Sequence, residues 1–192
     1  MQAVILAGGK GTRLRPYTTV LPKPLMPIGD MPILEIVFRQ LKSAGFDSIF
    51  LAVGYMEHLF RAFFQDGENY GLKVEYSIEK EPLGTAGPIS LMIDKLDDHF
   101  LVMNGDLLTT IDYQKLFNFH LKTEASATIA LHQRKVDIDY GVVEYDQNNQ
   151  LIQYREKPSF AFDVSMGINV LSKAAIKKFL RPNKFINIPD LM

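Results

Sequence analysis

A glycine-rich turn directly follows a short apolar run at the start of the chain. The run from Gln2 to Leu6 is typical of a strand, and the next residues are Ala-Gly-Gly-Lys-Gly-Thr-Arg. Glycines after a strand let the backbone turn sharply and let its N–H groups approach an anion closely. The turn therefore predicts an anion-binding site at the end of the first strand.

Two cations follow this turn. Arg13 offers a planar fork of donors that suits phosphate oxygens, and Lys23 offers a compact point charge. Pro22 and Pro24 flank Lys23, and we expect them to hold the backbone around it stiffly extended. Glycines and cations together predict a polyphosphate site.

The turn matches neither of the two common glycine-rich nucleotide loops. The dinucleotide fingerprint G-x-G-x-x-G, started at Gly9, needs glycine where Leu14 stands. The P-loop needs Ser or Thr after Gly-Lys, where Gly11 stands. An ordinary tight turn with surface charges is the alternative, and the coincidence of three glycines with Arg13 and Lys23 disfavours it.

The stretch from Leu6 to Glu35 resembles, almost continuously, the signature of the sugar-1-phosphate nucleotidylyltransferases, also called NDP-sugar pyrophosphorylases. Among these it is most similar to the mannose-1-phosphate guanylyltransferases. The resemblance implies a Rossmann-like three-layer fold, Mg²⁺ as cofactor, and a nucleoside triphosphate and a sugar 1-phosphate as substrates. It is compatible with a homo-oligomer. It also implies catalytic contacts from Arg13 and Lys23 and nucleotide contacts from Leu6, Ala7, Gly8, Gly9, Gly11 and Thr12.

Composition limits the binding partners, metal sites and cellular locations that fit this chain. The chain has 192 residues, a net charge of −1 and no cysteine. A charge this small gives no basic field to recruit nucleic acid or an anionic membrane, and no apolar run reaches the length of a bilayer span. Without cysteine there are no disulfides or thiolate metal sites, and four scattered histidines lack metal-ligand spacing. We expect a cytoplasmic protein.

Strands and helices alternate through most of the chain. Strands are predicted at 3–6, 48–53, 74–78, 100–103 and 125–132, and helices at 33–44, 57–64, 85–96 and 113–121. This alternation predicts an α/β fold, a mostly parallel sheet with helices on both faces. Further on, runs at 142–145 and 151–155 flank Asp-Gln-Asn-Asn, which predicts a hairpin in a small β-rich insertion. A strand at 164–171 and a helix at 173–180 follow.

An acidic turn, Asn104-Gly105-Asp106, follows one of the predicted buried strands. Ligands of open α/β sheets bind outside the carboxyl ends of the strands, and Mg²⁺ takes one or two carboxylates there. Asp106 is therefore the candidate metal ligand, a role that the family resemblance also implies. The alternative is a plain turn, for which this sequence is equally suited.

A second glycine loop, Glu81 to Gly87, lies between a predicted strand and a predicted helix. By itself it is only a connection, but the resemblance implies that Gly84 and Thr85 lie against the nucleoside. Glu79 stands just upstream, where some relatives carry a glutamine that reads the base. A carboxylate can accept from both N1–H and N2–H₂ of guanine, which favours GTP.

The sugar-side residues are identified only by resemblance. Tyr-Gly-Val-Val-Glu from residue 140 and Glu-Lys-Pro from residue 156 are similar to the family's motifs. They imply that Gly141 leaves room for the sugar ring, that Glu156 binds its hydroxyls and that Lys157 acts catalytically on its phosphate. A solvated strand end is the alternative for Glu156 and Lys157. Ser165 stands where many relatives have asparagine, which leaves the identity of the sugar open.

The chain ends inside an apparent helix start. Relatives continue further and carry a second metal-binding aspartate there, and Asp190 comes too early to be that residue. We therefore expect residues 1–192 to form a single nucleotidylyltransferase catalytic domain that is incomplete at its C-terminus, with apolar surface exposed near Phe179, Leu180 and Ile186. We expect this chain to bind a nucleotide or an NDP-sugar but to turn over poorly, if at all.

Three functions remain from the sequence. The favoured one is Mg²⁺-dependent transfer of a nucleotidyl group from GTP to mannose 1-phosphate, giving an NDP-sugar and pyrophosphate. UTP or dTTP with glucose 1-phosphate is the second. A non-catalytic regulatory domain that only binds a sugar nucleotide is the third.

Overall fold

The computed structural model describes residues 1–9 and 11–192, so Lys10 of the glycine-rich turn lies outside the described residues. The strands are β1 (Gln2–Leu6), β2 (Pro27–Ile28), β3 (Met31–Pro32), β4 (Ser48–Val53), β5 (Lys73–Ile78), β6 (His99–Asn104), β7 (Ala127–Asp137), β8 (Val142–Tyr145), β9 (Leu151–Arg155) and β10 (Ser159–Ser172). The α-helices are α1 (Ile33–Ser43), α2 (Glu57–Phe64), α3 (Tyr113–Thr123), α4 (Lys173–Ile176) and α5 (Ile188–Leu191). Short 3₁₀ helices cover Thr12–Leu14, Tyr17–Thr19, Lys23–Leu25, Glu68–Tyr70, Gly87–Leu91 and Ile93–Lys95.

The main sheet has six strands in the order β5-β4-β1-β6-β10-β7. Strand β1 pairs in parallel with β4 on one side and β6 on the other, with Val4 opposite both Phe50 and Val102. Strand β5 extends the parallel part, whereas β10 runs antiparallel to β6. The mostly parallel α/β sheet expected from the alternating pattern is confirmed, and it brings the carboxyl ends of β1, β4, β5 and β6 to one edge.

The chain divides into two compact units. The first unit comprises Met1–Ile129 and Gly167–Met192, and the second comprises Ala130–Met166. In the second unit β8 and β9 form an antiparallel hairpin, with Val142 opposite Arg155. The predicted hairpin and β-rich insertion are therefore confirmed.

The core of the first unit is built from the sheet and the helices that bury one face. Helix α1 follows the 3.6-residue period, and its Leu34, Val37, Phe38 and Leu41 are fully buried. The ring centroids of Phe38 and Phe64 lie 4.7 Å apart, which ties α1 to α2. None of the described helices has the length and apolar character needed to cross a membrane.

One predicted helix is wrong. Residues 85–96 form two short 3₁₀ helices rather than an α-helix. Pro88 lacks an N–H group, and the N–H groups of Ala86 and Gly87 donate to Ile186 O, far along the chain, at 2.9 and 3.1 Å. The predicted helix at 173–180 is also shorter, since α4 ends at Ile176.

Candidate active site

A cavity of about 570 Å³ opens in the first unit where β1, β5 and β6 end. This is the edge at which ligands of open α/β sheets bind. The cavity brings together most of the residues predicted from the sequence: Leu6, Ala7, Gly8, Gly9, Gly11, Arg13, Lys23, Glu79, Gly84, Thr85 and Asp106. Of the predicted nucleotide contacts, Thr12 does not line the described part of this cavity.

Two glycines of the turn stand where a side chain would not fit. A Cβ at Gly8 would lie 2.5 Å from Glu79 Oε1. Gly11 has φ +58°, and a Cβ there would lie 2.8 Å from Thr18 Cγ2. The buried Thr18 also donates from Oγ1 to Gly11 O at 2.9 Å, which fixes the turn. The glycines therefore allow the backbone to pass close to both Glu79 and Thr18.

The backbone at Lys23 differs from the expectation. Pro22 is extended, with ψ 144°, but Lys23 begins the 3₁₀ helix Lys23–Leu25, and Met26 N donates to Lys23 O at 3.1 Å. The helix is possible because Pro24 occupies a first-turn position, where no N–H donor is needed. Leu25 is buried at 1% exposure, so its packing anchors the turn that presents the lysine.

Lys23 and Asp106 form an ion pair in the cavity. Lys23 Nζ lies 2.5 Å from Asp106 Oδ2, and the two side chains are 39% and 27% exposed. Asp106 is placed by the end of β6, where Gly105 N donates to Leu6 O at 2.9 Å. The structure therefore joins the predicted phosphate-binding cation and the predicted metal ligand in one contact.

The donor set at this edge suits Mg²⁺ with a phosphate-bearing substrate. No group of three or more His, Cys, Asp or Glu side chains able to hold a metal occurs in residues 1–9 and 11–192. Mg²⁺ is usually held by one or two carboxylates together with water and substrate phosphates, and not by an all-protein cage. The carboxylate of Asp106 fits that requirement.

Glu79 lines the cavity next to the glycine turn. It follows β5, and its N–H donates to Val53 O at 2.9 Å. Its Oε2 accepts from Leu83 N at 3.0 Å, whereas its Oε1 faces Gly8. Burial raises the pKa of the Glu79 carboxyl, and the hydrogen bond from Leu83 opposes that shift. One oxygen thus holds the loop at residue 83.

The loop from Leu83 to Gly87, which we call the base loop after the expectation that it lies against the nucleoside, is held by the C-terminal segment. Ile186 N donates to Leu83 O at 3.0 Å, and Ile188 N donates to Thr85 Oγ1 at 2.8 Å. Gly84 has φ +79°, and a Cβ there would lie 2.5 Å from Ile186 O. Residues 184–188 therefore pack against one side of the base loop.

The contact between residues 184–188 and the base loop leaves less apolar surface exposed at the chain end than the sequence predicts. Leu180 is buried at 8% exposure and Ile186 packs against the core cluster, so neither contributes to an exposed patch. Phe179, at 57%, is exposed as expected. Phe185 also lines the cavity and is 66% exposed.

Some cavity residues were not assigned a role from the sequence. Pro82 and Asn104 lie inside motifs that pointed to the site, and their positions there were the available signal. No sequence motif points to Phe185, because its position in the cavity depends on hydrogen bonds between segments 100 residues apart in the chain.

The predicted sugar-side residues Gly141, Glu156, Lys157 and Ser165 belong to the second unit. Tyr154 Oη donates to Glu156 Oε2 at 2.9 Å. A Cβ at Gly141 would meet the Tyr154 hydroxyl, which is the end of an exposed side chain. Lys157 has φ +43°, and Ser165 lies in β10. Their roles in binding a sugar phosphate stay predictions.

Two proteins of known activity are similar to this chain in sequence. A heptose 1-phosphate guanylyltransferase from Campylobacter jejuni is 38% identical over 186 residues, which are 96% of this chain and 82% of that protein. A mannose-1-phosphate guanylyltransferase from Mycobacterium tuberculosis is 37% identical over 158 residues, 82% of this chain and 44% of that protein. The chain thus spans most of the first relative and about half the length of the second.

Solved structures agree with the fold. HddC from Yersinia pseudotuberculosis, crystallised with GMP-PN, matches with a TM-score of 0.74 and 27% identity over 97% of this chain and 82% of that one. A putative glucose-1-phosphate thymidylyltransferase from Bacillus anthracis gives a TM-score of 0.75 and 26% identity over 95% and 76%. The family model described as nucleotidyl transferase matches residues 2–184. The resemblance found in the sequence is therefore confirmed, and the chain belongs to the nucleotidyl transferase family.

Proposed function

We propose that the chain transfers a nucleotidyl group from a nucleoside triphosphate to a sugar 1-phosphate in the cavity of the first unit. The observation that carries the proposal is the meeting of the glycine turn, Arg13, Lys23 and Asp106 in one cavity with Glu79 and the base loop. The cavity thus combines cationic and backbone donors for a polyphosphate with a glycine-containing loop and a carboxylate suited to a base. Both halves of a nucleotide would find partners there.

The reaction is an in-line displacement at phosphorus. An oxygen of the sugar phosphate attacks the α-phosphorus, a new P–O bond forms, and the bond to the leaving pyrophosphate breaks. This chemistry depends on positioning and on neutralising negative charge more than on proton transfer. Arg13 would bind the leaving pyrophosphate, and Lys23 would bridge phosphates near the reacting centre. Asp106 would hold Mg²⁺ together with phosphate oxygens, and the ion would supply further positive charge there.

Guanine is the favoured base. The relatives named above as guanylyltransferases support this preference. The carboxylate of Glu79 can accept from the N1–H and N2–H₂ donors that guanine presents together, whereas uracil and thymine offer one N–H. Its Oε1, which is free of the Leu83 contact, is the oxygen best suited to this role. A sugar 1-phosphate of the mannose type is favoured by the same relatives.

The direct test is pyrophosphate release by the chain with Mg²⁺. GTP, UTP and dTTP would each be paired with mannose 1-phosphate, a manno-heptose 1-phosphate and glucose 1-phosphate. We expect release to be fastest with GTP and a manno-configured sugar, and to be lost in Arg13→Ala. Faster release with UTP or dTTP and glucose 1-phosphate would overturn the base and sugar assignment. Binding of GDP-mannose with no release from any pair would overturn turnover by this chain and leave only the binding of a sugar nucleotide.

A further inference from the structure

We propose that Phe185 is a base-contacting residue that determines nucleotide affinity: its ring forms a face on which the nucleobase stacks. This rests on the proposed function, because it places the base beside the base loop. It adds a residue from a part of the chain that the nucleotide-binding motifs do not include.

The position of Phe185 is fixed by its neighbours. Ile186 N donates to Leu83 O at 3.0 Å, and Ile186 O accepts from Ala86 N and Gly87 N at 2.9 and 3.1 Å. On the other side, Lys184 O lies so close to Gly87 that a Cβ there would be 2.7 Å away. The backbone on both sides of Phe185 is therefore held against the base loop.

The side chain itself is exposed. Phe185 lines the cavity beside Pro82, Gly84 and Thr85, yet 66% of its surface is accessible. A single exposed aromatic is ordinary on a protein surface. Because its backbone is fixed beside the cavity, only the side chain of Phe185 has to be ordered when a flat ligand arrives.

Glu79 and Phe185 would contact different parts of a nucleobase. Glu79 offers hydrogen-bond acceptors, which read the edge of a base. Phe185 offers a π face, which contacts any base and favours the larger surface of a purine. Edge recognition by Glu79 would therefore select guanine among the purines, while Phe185 would strengthen binding of purines over pyrimidines.

Phe179 supplies a matched control. It is exposed to a similar extent, 57%, and lies in the same C-terminal region. It does not line the described 570 Å³ cavity, although it lines a separate pocket of about 310 Å³ that Phe185 also borders. Lys178 Nζ lies 4.9 Å from its ring centroid. Substitution of either phenylalanine removes an exposed ring, but only that of Phe185 removes one from the cavity.

The first experiment uses fluorescence. The chain contains no tryptophan, so Phe185→Trp and Phe179→Trp each create a single reporter. We expect Mg²⁺-GTP to quench Phe185→Trp strongly, and inorganic triphosphate, which has no base, to leave it unchanged. Phe179→Trp should respond to neither. Equal responses of the two reporters, or an equal response of Phe185→Trp to GTP and inorganic triphosphate, would overturn the stacking contact.

Calorimetry of Mg²⁺-GTP binding completes the test. Phe185→Ala should weaken binding about 5- to 150-fold, the range for losing one base–aromatic stack, while Phe185→Tyr and Phe179→Ala bind as wild type. Binding of inorganic triphosphate should stay the same in all four proteins. Wild-type affinity for GTP in Phe185→Ala would overturn this inference alone. Failure of the wild-type chain to bind any nucleoside triphosphate would overturn the proposed function with it.

Discussion

Lys23 and Asp106 each have a role in the proposed reaction. The Lys23 ammonium can bind phosphate, and the Asp106 carboxylate can bind Mg²⁺. In the structure they bind each other at 2.5 Å. An ion pair between partly exposed side chains stabilises a protein by only about 0–1 kcal/mol. A triphosphate with its metal can therefore replace this contact at little cost in free energy. Until then the ion pair keeps both binding groups in the cavity.

Removing the lysine should weaken nucleotide binding. Loss of a charge-assisted phosphate contact typically costs about 1.5–3 kcal/mol, so Lys23→Ala should bind Mg²⁺-GTP about 10- to 150-fold more weakly. Lys122→Ala removes an exposed lysine from the end of α3 and is the matched control. Titration calorimetry measures both. Equal affinities in the two variants would remove Lys23 from the phosphate site.

Glu79→Gln should change the preference for the base without losing the loop. The amide oxygen can still accept from Leu83 N, but the group facing the base gains a donor where the carboxylate had only acceptors. We expect the ratio of GTP to UTP affinity to fall in this variant. A competition assay with GTP, UTP and dTTP checks the ratio. A wild-type chain that already prefers a pyrimidine nucleotide would refute the role given to Glu79.

At the scale of elements, the C-terminal segment supports the base loop. Asn187 caps α5 through a capping box, and its Oδ1 also accepts from Thr85 N at 3.4 Å. Asn187→Ala should loosen residues 184–188 because loss of an N-cap costs about 0.5–2 kcal/mol. We expect faster amide hydrogen exchange at Ala86 and Gly87, which donate to Ile186 O. Asn187→Asp keeps the acceptor and should exchange as wild type; unchanged exchange in Asn187→Ala would contradict this support.

Elements whose signals are local could be predicted from the sequence. Strand β4 and helix α2 have the bounds predicted from the sequence. Asp112 precedes the predicted helix and caps α3, accepting from Lys115 N at 2.9 Å, which is a local signal of the same kind. The periodicity of α2 predicts an inward face that includes Phe63, and that part of the prediction is wrong. Phe63 is 47% exposed and Phe64 is buried at 2%, because tertiary packing chose between two adjacent phenylalanines that the periodicity could not separate.

Features that depend on distant segments could not be predicted. The 3₁₀ structure at 87–95 and the place of Phe185 both follow from hydrogen bonds between the base loop and residues 184–188. The pairing of Lys23 with Asp106 joins two motifs that the sequence identified separately. The motifs thus identified the side chains at the site, whereas the contacts among those side chains are seen only in the folded chain.

For the whole molecule, stability should depend on pH through a buried histidine. His120 has no exposed surface; its Nε2 lies 2.9 Å from His99 Nδ1, and its Nδ1 lies 2.9 Å from Thr128 Oγ1. Burial lowers the pKa of His120, and the neighbouring His99 lowers it further. The unfolded chain therefore binds a proton at this residue at higher pH than the folded chain does. The stability contributed by neutral His120 is present above about pH 6.5 and is lost as the pH falls below that value.

Denaturant unfolding at pH 7.5 and 5.5 measures this loss. We expect wild type to lose up to about 1.4 kcal/mol per pH unit below 6.5 through this group. His120→Gln, which cannot titrate, should lose less between the two pH values. His58→Gln removes an exposed histidine and should behave as wild type. An identical pH dependence in all three proteins would show that His120 does not control it.

The central claim is that the cavity of the first unit holds a nucleotide with its phosphates on the glycine turn. A crystal structure of the chain with Mg²⁺-GTP measures this most directly. We expect the triphosphate beside Gly8, Gly9 and Gly11, with phosphate oxygens within about 3.2 Å of donors on Arg13 and Lys23 and with Lys23 separated from Asp106. Density for the nucleotide outside this cavity, or a triphosphate that leaves the Lys23–Asp106 contact intact, would contradict the claim.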